Sequence, residues 1–116
     1  MTIVQSFDLV HVPFPFTDRR VTKRRPALVP SQPLFQQQSC HLLLVMLTIA
    51  KSRYWPSDWP IEDLQLAGLP QPCVVRFKLF TLDQSLLLGA LGRLSAVDQQ
   101  GAINRFAGVM AINPED

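Results

Sequence analysis

Two prolines set two residues apart, in Pro13-Phe14-Pro15-Phe16, constrain this chain more than any other feature, because no helix can run through them. Before them, Phe7 to Val12 is rich in β-branched and aromatic residues; after them, Ala27 to Val29 resumes an apolar run behind Pro26. The pattern predicts strand, turn, basic loop, strand. The loop, Asp18 to Arg25, carries Arg19, Arg20, Lys23, Arg24 and Arg25 against one acid, a charge of +4 in a chain whose net charge is +2. The positive field is therefore local. A patch of guanidinium groups suits phosphate, since each presents paired donors that match two phosphate oxygens.

Downstream, Ser31 to Ser39 reads as a polar connection, and Pro30 marks an edge or the end of the second strand, because proline cannot donate to a ladder. His41 to Thr48 is the most hydrophobic run and predicts a central strand buried on both faces. Lys51 to Pro72 holds four prolines and both tryptophans with little periodicity, which predicts a long loop of the kind that often carries function. Cys73 to Leu79 resumes extended structure, Asp83 to Leu88 can cap a short helix, and Ala90 to Leu94 is a last strand. Ser95 with Asp98 forms a capping-box pattern ahead of a helix whose apolar side is Ala102, Ile103, Phe106, Val109 and Met110. The sum is a single mainly β domain with helices, an α+β arrangement over residues 1–116 in which five or six short strands close into a small barrel.

Ten prolines against five glycines fit short strands with rigid connections, and 47% hydrophobic with 17% charged residues argues against disorder. Leu42 to Ala50 is too short to cross a bilayer, which takes roughly 20 residues. The amino terminus lacks a basic segment followed by an apolar one, so a cytoplasmic protein without a membrane partner is expected. Cys40 and Cys73 read as buried free thiols rather than a bridge. His11 and His41 lack ligand-type neighbours at the offsets a metal needs, so neither a metal nor another cofactor is expected.

Tyr54, Trp55 and Trp59 interleave with Lys51 and Arg53, combining stacking faces and cations as a groove for single-stranded nucleic acid does. A hydrophobic lid on the barrel accounts for them equally well. Asp58, Glu62 and Asp63 read as solvated loop acids, which a phosphate path would avoid.

The run Asp8-Leu-Val-His-Val-Pro-Phe-Pro-Phe-Thr-Asp18, followed by Arg25-Pro-Ala-Leu-Val29, resembles the opening hairpin of the MazF/PemK-like toxin family, the endoribonuclease halves of toxin–antitoxin pairs. Val45-Met-Leu-Thr48, Trp55 to Gly68-Leu69, Val74-Val-Arg76, Thr81-Leu-Asp83 and Leu91-Gly-Arg-Leu94 resemble its later blocks in the same order, so the resemblance spans nearly the whole chain. It implies an SH3-like barrel with a C-terminal helix, a two-fold homodimer, a groove for single-stranded RNA, and a cognate antitoxin. It also implies metal-independent cleavage to a 2′,3′-cyclic phosphate and a 5′-hydroxyl.

On the same resemblance, Arg25 falls on the family's catalytic arginine and Thr48 on its catalytic threonine or serine. Arg76 matches an arginine that some members use with an aspartate, although Phe77-Lys78 offers no acid after it. With the basic loop and the tryptophan segment, the expected RNA contacts are Arg19, Arg20, Lys23, Arg24, Lys51, Arg53, Trp55 and Arg76. Such cleavage requires activation of the 2′-hydroxyl, stabilisation of charge on the phosphorane and protonation of the leaving oxygen. Arginine, with a pKa above about 12, suits the second task. The general base stays open: His11, between two valines, is either a base or a structural histidine. The chain departs from the family pattern at Phe7, where glycine is usual, and at Ile49 and Cys73, where serines are. A catalytically silent barrel that binds an antitoxin or another protein is the alternative.

Overall fold

The computed structural model describes residues 2–14, 23–51 and 53–111; Asp18, Arg19 and Arg20 lie outside them. Strand β1 (Asp8–Phe14) pairs antiparallel with β2 (Lys23–Leu28), Val12 opposite Arg25 and Phe14 opposite Lys23. The second strand thus starts earlier than the sequence suggests. Lys23, Arg24 and Arg25 are strand rather than loop, because rungs to Phe14, Pro13 and Val12 hold them extended.

The described strands form one curled antiparallel sheet. Its members are β3 (His41–Ile49), the two-residue β4 (Trp59–Pro60), β5 (Cys73–Asp83) and β6 (Gly89–Arg93), in the order β4-β5-β3-β2-β1-β6. As predicted, β3 is internal and feeds both faces: Val45 and Leu47 join Leu9, Leu28 and Val75 in one cluster, while Leu42 and Leu44 join Val10, Val12 and Ala27 in the other. Plain alternation along the strand sends adjacent apolar residues to opposite sides, and the register shift at Val45/Met46 leaves Phe77 and Lys78 as extra residues on β5.

Three stretches depart from the sequence reading. Ser31 to Ser39 contains a helix, α1 (Pro33–Ser39), opened by a proline in its first turn and ended by Cys40 in the left-handed region. Its polarity conceals one inward residue, Gln36, which accepts from the Val4 N–H at 2.8 Å and donates to the Thr2 carbonyl and the Gln84 side chain. Cys40 is consequently exposed, whereas Cys73 is buried, and both thiols are free.

The long segment before Cys73 is structured too, holding β4 and a short helix, α2 (Leu64–Ala67). That helix bridges the ends of the curled sheet. Gly68, at φ 75°, ends it so close to β6 that a side-chain carbon there would lie 2.2 Å from the Leu91 carbonyl oxygen. From the other side, one at Gly92 would lie 2.3 Å from the Leu66 carbonyl.

The last helix, α3 (Ala96–Val109), has the predicted cap, with Ser95 Oγ accepting from the Asp98 N–H at 3.1 Å. The reciprocal half of the capping box is missing because the Asp98 carboxylate turns to the loop instead. The predicted apolar side is only partly covered: Ala102 is buried, but Ile103 and Val109 stay 42% and 43% exposed.

Candidate nucleic-acid interface

Register decides which predicted residues can meet. The β2–β3 rungs pair Leu28 with Val45 and Ala27 with Met46; Arg25 and Thr48 lie two residues beyond the last rung, each on its own strand, and border one cleft. On the next strand Thr48 faces Val74 and Met46 faces Arg76. Since side chains alternate with period two, Arg25, Thr48 and Arg76 emerge on one face, with Lys23 two residues from Arg25 on the same side. The Arg25 guanidinium carbon lies 5.3 Å from the centre of the Phe14 ring, so an aromatic face helps hold it.

A cleft of about 430 Å³ wraps these strand ends and is bordered by Lys23, Arg24, Arg25, Thr48 and His11. His11 alternates with Val10 and Val12 and falls on the Leu9 side of the sheet, away from Arg25. It nonetheless borders the cleft that Arg25 and Thr48 border. Cys73, which borders the same cleft, is a poor substitute for a serine hydroxyl, because a thiol is a weak donor and this one is already engaged by the Gln71 carbonyl at 3.4 Å.

Arg76 has the acid that its own strand lacks. Asp58, only 5% exposed, accepts from Arg76 Nε at 3.2 Å and Nη2 at 2.8 Å. It is a buried ion-pair partner rather than a solvated loop acid. Burial alone would raise its pKa, but hydrogen bonds from Arg76 and the Trp55 N–H, with the charge of Arg76, outweigh that and lower it. Arg76 Nη2 also donates to the Arg53 carbonyl at 3.1 Å. The signal available in the sequence was the turn: in Trp55-Pro56-Ser57-Asp58, proline occupies the position that starts a tight turn, and the Asp58 N–H closes it on the Trp55 carbonyl. Lys51 and the Arg53 side chain are exposed, on the segment leading into that turn.

A curled antiparallel sheet with a closing helix is also what comparison with known proteins finds. The model of the family described as PemK-like, MazF-like toxin of type II toxin–antitoxin system matches residues 5–109. The chain belongs to this family. It is therefore a toxin of the type II toxin–antitoxin class. No curated protein matches it in sequence. Among solved structures, a MazE–MazF complex from Deinococcus radiodurans superposes with a TM-score of 0.76 at 16% identity, covering 97% of this chain and 100% of that one. An endoribonuclease in complex with its cognate antitoxin from Mycobacterial species gives 0.75 at 13%, covering 97% and 98%. The Mycobacterium tuberculosis toxin MazF-mt6 gives 0.67 at 18%, covering 90% and 97%. At such identities the likeness establishes the fold, and it is the barrel-type α+β fold expected from the sequence.

In this toxin the two tryptophans have separate fates. Trp59 is the lid: its Nε1 donates to Asp98 at 3.0 Å, and its ring packs on Gly101, where a side-chain carbon would meet it at 2.2 Å. Trp55 is 42% exposed and lies against Arg76 and Lys78, at 5.0 and 5.7 Å from its ring centre. Among the described residues no group of three His, Cys, Asp or Glu could hold a metal ion, and no helix is long and apolar enough to cross a membrane.

Proposed function

We propose that this toxin is a metal-independent endoribonuclease of single-stranded RNA, acting in the cytoplasm as a homodimer and restrained by a cognate antitoxin. The observation that supports this reading is the cleft that Arg25, Thr48 and Lys23 border together. A phosphate lying between them would meet two kinds of donor. As the 2′-oxygen attacks phosphorus, the Arg25 guanidinium stabilises the charge growing on the non-bridging oxygens, and the Thr48 hydroxyl donates to one of them. The bond to the 5′-oxygen then breaks, leaving a 2′,3′-cyclic phosphate. The proton lost by the 2′-hydroxyl is balanced by the one gained at the 5′-oxygen. The endoribonuclease bound to its antitoxin among the similar structures supports the same reading.

Purified protein incubated with mixed-sequence RNA in EDTA is expected to yield fragments ending in cyclic phosphate, and Thr48→Ala to slow that cleavage by roughly tenfold or more. An inactive wild type that still binds an antitoxin would identify a silent barrel instead.

The basic residues ahead of Arg25 are proposed to hold RNA phosphates and, alternately, an acidic antitoxin segment. Neutralising Arg19, Arg20 and Lys23 together is then expected to weaken both partners. It should also flatten the dependence of RNA affinity on salt, because each phosphate contact to a single strand adds about 0.7 to the logarithmic slope. Binding isotherms across a salt series check this; equal slopes for wild type and triple variant would move the groove elsewhere.

A further inference from the structure

Arg76 differs from Arg25 in what it has left to offer. Its Nε and Nη2 are engaged by both carboxylate oxygens of Asp58 and by the Arg53 carbonyl. Its charge is matched at 2.8 Å by an aspartate that is nearly buried. A guanidinium so committed is a poor phosphate ligand and a good strut. What it supports is Trp55. Asp58 accepts from the Trp55 N–H at 2.9 Å, its own N–H returns to the Trp55 carbonyl at 3.0 Å, and Arg76 lies against the indole. Lys78, two residues along β5, also lies against the ring, at 5.7 Å from its centre, and the Trp55 side chain still stays 42% exposed. This platform stands beside the proposed scissile site, since Arg76 is two residues from Val74, the cross-strand partner of Thr48.

We infer that Asp58 and Arg76 are positioning residues that hold Trp55 as a stacking platform for one base of the bound RNA, a role that rests on the endoribonuclease reading. Indole stacking suits any base, because each has a π face. The pair fixes the indole before RNA arrives, so little ordering is left for the binding step.

Steady-state cleavage of a short single-stranded RNA, together with quenching of tryptophan fluorescence by its uncleavable 2′-O-methyl counterpart, tests this. Trp55→Ala is expected to raise KM roughly ten- to hundredfold, with a much smaller change in kcat, and to lose most of the quench. Trp55→Phe should recover much of the KM. Asp58→Asn should raise KM in the same direction; should it fail to fold, Arg76→Lys, which keeps a charge but loses the fork, supplies the same comparison. A wild type that cleaves while Trp55→Ala keeps a wild-type KM overturns the platform and leaves the endoribonuclease standing. A wild type that does not cleave, yet binds the 2′-O-methyl RNA with a quench that depends on Trp55, supports the platform and overturns the cleavage. Neither cleavage nor binding overturns both.

Discussion

Replacing Arg25 with alanine is expected to lower RNA cleavage by roughly 10²- to 10³-fold while the protein still folds. The rate effect follows from what the side chain would meet: charge that appears on the phosphorane in the transition state and is weaker in the substrate, so its loss falls on kcat more than on KM. The fold should survive because β2 is held by backbone rungs to β1 and by Ala27 and Leu28 in the core, neither of which needs the guanidinium. Among the described residues, alanine removes a cation resting over the Phe14 ring, which is itself 42% exposed. Arg25→Lys should recover only part of the rate, since an ammonium carries the charge without the fork that spans two phosphate oxygens. Initial rates at saturating RNA, with a thermal melt of each variant, provide the check; an Arg25→Ala protein cleaving at the wild-type rate would remove Arg25 from the chemistry.

What could be read from the sequence, and what could not, divides along a physical line. The opening hairpin, β3, β6 and the Ser95 cap were legible because each is written in local preference: β-branched residues, breakers, an apolar run, a capping hydroxyl. Arg25 and Thr48 were found only through family resemblance, and the β2–β3 pairing that brings them to one cleft is long-range. Gln36 and Asp58 were misread because each is a polar group satisfied at a distance. Gln36 looks like its exposed neighbours Gln37 and Gln38 until Thr2, Val4 and Gln84 fold around it. Asp58 is one acid among three in its loop, and its cationic partner comes from a strand 18 residues away. Pattern reveals which faces are apolar, but not which buried acid answers which arginine.

Asp98 is the strongest instance, and Asp98→Ala is expected to have the largest effect on stability, a loss of about 3 kcal/mol. The carboxylate is fully buried and accepts from Trp59 Nε1 at 3.0 Å, the Glu62 N–H at 2.8 Å, the Asp63 N–H at 3.0 Å and the Ser95 hydroxyl at 3.2 Å. Alanine leaves those donors without their acceptor and removes a negative charge from the first turn of α3, where the helix dipole favours it. For a chain of this size the melting temperature should fall on the order of 10 °C. The same bonds fix the direction of the pH dependence. Burial alone would raise the Asp98 pKa, but the N–H groups of Asp63 and Glu62, then Trp59 and Ser95, outweigh it, so the folded value lies below the ordinary one. A group lowered on folding contributes stability above its unfolded pKa, near 4, and that contribution is lost as pH falls through the folded value. Wild type should therefore lose stability on acidification below about pH 4, and the Asp98→Ala protein should lose less over the same interval. Asp58 shifts in the same direction and should supply part of the acid sensitivity that remains. Because Asp98 ties α3 to Trp59 and to the entry of α2, the helix that bridges the sheet ends, its loss should also loosen that seam before β3 and β5. Hydrogen exchange resolved along the chain would show this as faster exchange over residues 59–69. Equal protection there in both proteins, with melting temperatures within about 2 °C, would mean that packing rather than this carboxylate holds the loop down.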